Sequence, residues 1–113
     1  MAKDRELQRL AAKRHYVAHK KQMVARALVF NKVVGKRNRE YVQEYLSSHP
    51  CVDCGEGDVI VLEFDHVRGE KFSNIADCVR NHWSLKSLAE EIAKCEVRCA
   101  NCHRRATYLR RLG

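Results

Sequence analysis

Two short stretches, Cys51-Val52-Asp53-Cys54 and Cys99-Ala100-Asn101-Cys102, decide how the second half of this chain folds. Each places two thiols three positions apart, a spacing that lets one tight turn present both sulfur atoms to a single ion. Four thiolates complete the tetrahedral set of a structural zinc site and leave no coordination position for water. The sequence therefore predicts a zinc ion that fastens the first stretch to the second.

Two further cysteines, Cys78 and Cys95, fall outside these pairs and are interpreted as buried, small apolar residues. Cys95 is an alternative to Cys99 in the second pair, although the longer spacing makes a poorer turn. The first residues are charged rather than apolar, unlike a secretion signal, and no apolar run approaches the roughly 20 residues that span a bilayer. These features predict an intracellular, membrane-free protein whose paired thiols bind metal.

The net charge of +8 belongs entirely to the N-terminal part of the chain. Residues 1–48 contain 12 Lys and Arg against 4 Asp and Glu, whereas residues 49–113 contain 10 of each kind. Such asymmetry favours a polyanionic partner, either nucleic acid or an anionic membrane surface. It argues against a binder of acidic proteins and against a simple small-molecule enzyme.

Residues 3–34 contain no proline or glycine and are rich in residues that favour helix. Apolar side chains recur there three and four positions apart: Leu7, Leu10, Val17, Val24 and Leu28. This pattern predicts a long basic helix, a break at Gly35, and a second helix over residues 37–47. Arg14 and Lys21 interrupt the apolar seam, which is expected to pack on the second module or on another copy of the chain.

The remainder of the chain alternates short elements. The predicted ones are a strand over 59–67, an irregular segment over 68–83, a helix over 87–94, a strand over 96–98 and a helix over 104–112. The helix at 87–94 is predicted from the capping-box pattern Ser87-Leu88-Ala89-Glu90. Helices and strands of this kind in one module indicate the α+β class.

Asp65 and His66 end the first predicted strand, and His103 follows the last cysteine of the zinc pairs directly. If zinc joins the pairs, that strand and the last helix lie side by side. His103 is then expected to face Asp65 and His66 across a small cleft. A carboxylate and one imidazole would chelate a divalent cation there, while the other imidazole stays free as a base.

The run Leu62-Glu63-Phe64-Asp65-His66-Val67, together with Cys99-Ala100-Asn101-Cys102-His103-Arg104-Arg105, resembles the HNH endonucleases. These are ββα-metal (His-Me finger) nucleases, and many of them carry a zinc site of two CxxC pairs. The resemblance covers roughly residues 49–108. It implies a metal-dependent DNA endonuclease, encoded by a bacterium or a phage and working in the cytoplasm.

The resemblance also implies roles for three residues. His66 corresponds to the general base, Asp65 to a ligand of the catalytic metal, and His103 to the second ligand of that metal. One position departs from the family pattern, because Lys94 stands where the family has an asparagine. Asn101 and Asn74 are the alternatives that remain for ordering the site.

The catalytic cation is expected to be Mg²⁺ or Mn²⁺. It would rest on Asp65 and His103, polarise the scissile phosphate and stabilise the departing oxygen. Because one of the two ligands is an imidazole, Ni²⁺ or Zn²⁺ are further candidates.

Contacts to DNA phosphates are expected from Arg104 and Arg105, at the start of the last helix, where solvated surface charge is the alternative. In the N-terminal segment the expected contacts are Lys13, Arg14, Lys20 and Lys21. Phosphate contacts carry no sequence information. The sequence therefore predicts nicking or weakly sequence-specific cleavage of double-stranded DNA.

The prediction as a whole is a basic helical DNA-binding arm over residues 1–48, followed by a zinc-stapled ββα nuclease module over residues 49–113. The rival hypothesis is a non-catalytic zinc module that binds nucleic acid or a protein. In that case the arm would pair with a second copy of the chain. Lys94, at the family's asparagine position, favours the rival.

Overall fold

The structure, a computed structural model, describes residues 2–113, with the backbone alone at Ala2. Within this range it contains four α-helices and a two-stranded antiparallel sheet, so the predicted α+β class is confirmed. The elements in chain order are α1 (Ala2–Ser48), a 3-10 turn (Val59–Val61), β1 (Leu62–His66), α2 (Ile75–Arg80), α3 (Leu85–Ile92), β2 (Cys95–Cys99) and α4 (Ala100–Leu112).

Helix α1 continues through Gly35, so the predicted break and the separate helix over 37–47 were wrong. A glycine costs a helix about 1 kcal/mol relative to alanine, which is too little to end a helix whose next turns are well packed. Val34, just before Gly35, is buried, and so are Asn38 and Leu46 in the turns that follow it. Tertiary burial therefore outweighs the local preference.

The chain divides into two compact units, and the boundary falls between Val33 and Val34. In the first unit, every described side chain from Lys3 onward is exposed, including the apolar seam. The charge boundary at residue 48 and this packing boundary are separate properties of the chain, because residues 34–48 belong to the second unit. No helix within residues 2–113 combines the length and the apolarity needed to cross a membrane.

The two strands pair from Leu62 opposite Cys99 to His66 opposite Cys95. The strand predicted over 59–67 is shorter in the structure, since its first three residues form the 3-10 turn. There the side chain of Asp58 accepts a hydrogen bond from the main-chain N of Ile60 at 3.0 Å. The second strand extends the predicted 96–98 by one residue at each end.

Two small apolar clusters form the core of the second unit. The first consists of Leu46, Cys51, Leu62, Val97, Cys99 and Cys102. The second consists of Ile75, Cys78, Leu88, Ile92 and Cys95. Phe64 on β1 packs against both. Cys78 and Cys95 are thus buried apolar residues, as predicted, and burial raises the pKa of the Cys95 thiol to about 11.

Three helix predictions need correction. Helix α2 lies in the segment predicted to be irregular. The sequence pattern does not indicate this helix, because six residues are too few to show a helical period. Helix α3 spans Leu85–Ile92, so it begins and ends two residues before the predicted 87–94, since Ser84 is its N-cap and accepts from the main-chain N of Ser87 at 3.2 Å. Helix α4 begins at Ala100 rather than at residue 104.

Asn38 offers a test of how α1 is held in the second unit. Its side chain is fully buried, and Nδ2 donates to the carbonyl oxygen of Trp83 at 2.9 Å. We expect Asn38→Ala to lower the free energy of unfolding by about 1–3 kcal/mol, because the Trp83 carbonyl loses one of its two donors and Arg37 loses the acceptor Oδ1 of Asn38. Urea unfolding, followed by the fluorescence of the single tryptophan, measures the change. Asn31→Ala, exposed on the same helix, should change it by less than about 0.5 kcal/mol; equal effects would contradict the assignment.

Candidate functional site

The four cysteines of the two predicted pairs lie together at one end of the sheet. Their sulfur atoms all lie within 4.8 Å of one another, and the Sγ atoms of Cys54 and Cys99 are 3.7 Å apart. Zn–S bonds of about 2.3 Å in a tetrahedral site place sulfur atoms about 3.8 Å apart. Cys51, Cys54, Cys99 and Cys102 can therefore hold a metal ion such as zinc. Cys95, the alternative to Cys99, is not part of the group.

Local structure aims these thiols at one point. After the first pair the chain reverses at Gly55, whose φ of 79° is one that residues with a side chain rarely adopt. The main-chain N of Gly55 donates to the carbonyl oxygen of Cys51 at 2.9 Å and closes this turn. On the other side, Cys99 ends β2 and also caps α4, where its Sγ accepts from the main-chain N of Cys102 at 3.4 Å.

The electrostatics of the cluster also favour a cation. Burial opposes ionisation of Cys51, but backbone hydrogen bonds from Cys99 and Cys54 lower its pKa to about 6. The neighbouring sulfur of Cys99, together with burial, raises the pKa of Cys102 to about 12. One thiolate thus forms readily and opposes the formation of others. Complete deprotonation of the set requires a positive ion that neutralises it.

A second polar cluster lies where β1 meets α4. Asp65 is buried, and its Oδ1 lies 3.5 Å from Nε2 of His103. Nδ1 of His103 lies 2.8 Å from Oε1 of Glu63. Glu63 and Asp65 share a face of the sheet because side chains alternate along a strand. The structure therefore brings together two of the three predicted catalytic residues and adds Glu63 to them.

The contact with Glu63 determines which nitrogen of His103 is free. A carboxylate only accepts hydrogen bonds, so Nδ1 carries a proton, and an ion bound at Nε2 would require the neutral tautomer whose lone pair faces Asp65. Two ligands that lie about 2.1 Å from one ion are about 3.0–3.5 Å apart in octahedral or tetrahedral geometry. The observed 3.5 Å between Nε2 and Oδ1 fits this range. This donor pair therefore fits a divalent cation.

Asp65 is also paired with two arginines. Nη1 of Arg98 donates to Oδ2 at 2.7 Å. Arg110 donates to both oxygens, from Nη1 to Oδ1 at 3.0 Å and from Nη2 to Oδ2 at 2.5 Å. Burial raises the pKa of Asp65, but Arg110, His103 and Arg98 together hold that pKa below its ordinary value. Asp65 is therefore a carboxylate at neutral pH.

His66 belongs to a different cluster. It follows Asp65 on β1, and neighbouring side chains of a strand point to opposite faces. Its Nε2 lies 3.0 Å from Oε2 of Glu91, a buried residue of α3. Glu91 also accepts from the main-chain N of Phe72 at 3.1 Å and from Nζ of Lys94 at 2.8 Å. The structure thus joins His66 to Glu91 rather than to the pair of Asp65 and His103.

Lys94, at the family's asparagine position, holds the loop that follows His66. Its Nζ donates to the carbonyl oxygen of Glu70 at 2.7 Å and lies 3.6 Å above the ring of Phe72. The alternatives for ordering the site lie elsewhere. Asn74 is the N-cap residue of α2, and Asn101 is exposed in the first turn of α4.

The residues predicted to contact DNA are all exposed: Arg104 and Arg105 on α4, and Lys13, Arg14, Lys20 and Lys21 in the first unit. An open groove of about 450 Å³ runs beside the second cluster. Glu63 and His103 line it together with Arg104, Tyr108 and Arg111. Arg104 and Arg111 add positive charge to this groove, next to the pair of Asp65 and His103.

Four residues of the two polar clusters are missing from the sequence predictions: Glu63, Glu91, Arg98 and Arg110. Only Glu63 carries a local signal, because it lies two positions before Asp65 in a predicted strand. Glu91 and Arg110 come from helices that are distant along the chain. Their partners are 25 and 45 residues away, a separation at which sequence spacing indicates nothing.

No protein-family model, curated protein or solved structure matches this chain. Its function is therefore inferred from the chemistry of the sites themselves. These are the four-thiol cluster, the pair of Asp65 and His103, and the pair of His66 and Glu91.

The thiol cluster leads to a test by metal content. We expect the purified protein to contain one zinc ion per chain and Cys102→Ser to lose it, because three thiolates bind the ion more weakly than four. Elemental mass spectrometry measures the content. Cys78→Ala removes a buried thiol outside the cluster and should keep the zinc, even if the variant is less stable. Full zinc in Cys102→Ser would contradict the ligand set.

Proposed function

We propose that this chain is a metal-dependent DNA endonuclease that hydrolyses phosphodiester bonds. The observation that carries the proposal is the 3.5 Å approach of Nε2 of His103 to the carboxylate of Asp65. This pair lies where the sheet meets α4, and an ion bound by the four cysteines would hold the two together. The resemblance of the surrounding sequence to the HNH endonucleases agrees with it.

In this proposal the four cysteines hold a structural zinc ion. Cys51 and Cys54 precede β1, while Cys99 and Cys102 lie at the start of α4, so a shared ion would tie the helix to the sheet. His103 comes one residue after the last of these ligands. Its position against Asp65 therefore depends on the intact set of four.

Asp65 and His103 would hold the catalytic Mg²⁺ or Mn²⁺, which polarises the scissile phosphate and stabilises the leaving oxygen. Glu63 keeps the proton of His103 on Nδ1 and so leaves Nε2 to bind the metal. Arg98 holds Oδ2 of Asp65 and orients the carboxylate. Glu63 and Arg98 would thus orient the two proposed metal ligands.

His66 would act as the general base. Since Nε2 is engaged by Glu91, Nδ1 is the nitrogen that can accept a proton from the attacking water. Glu91 would stabilise the imidazolium that forms, as a carboxylate does in other imidazole–carboxylate pairs. Because Asp65 and His66 point to opposite faces of β1, the scissile phosphate would have to lie at the end of this strand to reach both side chains.

The excess positive charge of residues 1–48 would hold the DNA backbone. Such contacts provide affinity without reading bases, which agrees with nicking or weakly specific cleavage. One site cuts one strand, so a double-strand break would require two copies or two visits. The exposed apolar seam of the first unit is the surface through which two copies would pair. Metal-binding thiols have to stay reduced, which agrees with an intracellular setting, and the resemblance implies a bacterial or phage origin.

Cleavage of supercoiled plasmid tests the catalytic part of the proposal. We expect nicked product with Mg²⁺ or Mn²⁺ and none with EDTA. His66→Ala and Asp65→Asn should each lower the rate at least about 100-fold, because the base or a metal ligand is lost. Asp77→Asn is the matched control and should cut at the wild-type rate. Cleavage by Asp65→Asn at the control rate would refute the mechanism.

A salt titration of DNA binding tests the arm. Replacing Lys13, Arg14, Lys20 and Lys21 by Gln should reduce the slope of log Kd against log salt by about 3 to 4, because each phosphate contact on duplex DNA contributes about 0.9. Lys71→Gln with Lys86→Gln, both exposed in the second unit, is the control and should leave the slope nearly unchanged. An unchanged slope in the fourfold variant would exclude the arm from the interface.

A second candidate is a zinc module that binds nucleic acid without cutting it. The observations that favour it are the two arginines paired with Asp65 and the position of His66 on the other face of β1. This candidate predicts that the wild-type chain retains DNA but produces no nicked plasmid with any divalent metal. The cleavage experiment therefore separates the two functions directly.

A further inference from the structure

Arg110 occupies the side of Asp65 that a divalent cation would need. Its Nη1 donates at 3.0 Å to Oδ1, the same oxygen that faces Nε2 of His103. The side chain of Asp65 is 4% exposed, whereas that of Arg110 is 49% exposed. The guanidinium therefore lies between the carboxylate and solvent.

The two arginines at Asp65 are held very differently. Arg98 is 13% exposed and is paired with Asp53 at 2.8 Å and Glu96 at 2.9 Å, as well as with Asp65. Every described hydrogen bond of the Arg110 side chain goes to Asp65, and Arg110 lies close to the end of α4. Arg110 can therefore leave by breaking one ion pair, while Arg98 is fixed by three.

Two cations that share one carboxylate oxygen repel each other, and the repulsion is strong at a partly buried site. An ion on Oδ1 and Nε2 would also have to share Oδ1 with the guanidinium of Arg110, which already donates to that oxygen at 3.0 Å. Binding of a divalent ion and retention of the guanidinium thus oppose each other at a single atom.

We infer that Arg110 is a resident counter-cation that competes with the divalent metal for Asp65, so that metal binding requires its guanidinium to move away. The inference rests on the proposed metal pair of Asp65 and His103. Arg110 and Arg98 together neutralise the buried carboxylate in the metal-free protein. Arg110 is a positioning residue and sets the affinity of the site for metal.

Binding of Mn²⁺ to the zinc-loaded full chain tests this inference, with free Mn²⁺ measured by electron paramagnetic resonance. Mn²⁺ binds sulfur and nitrogen sites more weakly than Zn²⁺, so it leaves the four-cysteine site intact. Arg110→Gln should bind Mn²⁺ at least about tenfold more tightly, because no charge-assisted pair has to break. The Mn²⁺ affinity of Arg110→Lys should lie between those of Arg110→Gln and the wild type. Lys86→Gln makes the same charge change at an exposed position of α3 and should alter the affinity less than about threefold.

Each outcome decides the matter. Equal Mn²⁺ affinities of Arg110→Gln and the wild type would overturn the competition and leave the metal pair standing. Absence of binding to both proteins would overturn the competition and the proposed metal pair together. Adding Asp65→Asn to Arg110→Gln should abolish the gain, and tight binding that persisted would place the ion elsewhere. Zinc content and circular dichroism show that each variant is folded.

Discussion

The convergence of four cysteine sulfurs within 4.8 Å is the constraint on which the second unit depends. The apolar core around it is divided into two clusters of five or six buried residues, a small driving force for a module of this size. Three of the four cysteines are themselves members of the first cluster. Because the thiols come from the segment before β1 and from the start of α4, their common ion would hold the sheet and the helix together. The contact between His103 of α4 and Asp65 of β1 then depends on how the helix lies on the sheet.

Charge is used in opposite ways in the two parts of the chain. Residues 49–113 are neutral in sum, and their charged side chains pair with one another around buried carboxylates. Arg98 contacts Asp53, Asp65 and Glu96, and Glu91 pairs with Lys94. Burying a carboxylate is unfavourable unless it is paired, so this balance is a requirement of the fold. In residues 3–33 the basic side chains are exposed instead, and an outside polyanion can reach them.

Two imidazole–carboxylate pairs lie on opposite faces of β1. Glu63 holds Nδ1 of His103, and Glu91 holds Nε2 of His66, so the two rings present different nitrogens. In the proposed mechanism this difference assigns the metal to one ring and the proton to the other. Lys94 fits the scheme because it secures both Glu91 and the loop after His66. Lys94, which departs from the pattern that the sequence otherwise resembles, thus holds Glu91 and the loop in place.

The sequence by itself determined the thiol cluster, the α+β class, the approximate strands and the burial of Cys78 and Cys95, because these follow from spacing and residue type over a few positions. Only the tertiary structure decided that α1 continues through Gly35, since its next turns are buried within the second unit. It also decided the partners of each ionisable group. Asp65 meets Arg110 and His66 meets Glu91 across 45 and 25 residues. An ion pair depends on the distance between two side chains in space. For elements far apart in the sequence, only the folding of the chain sets that distance.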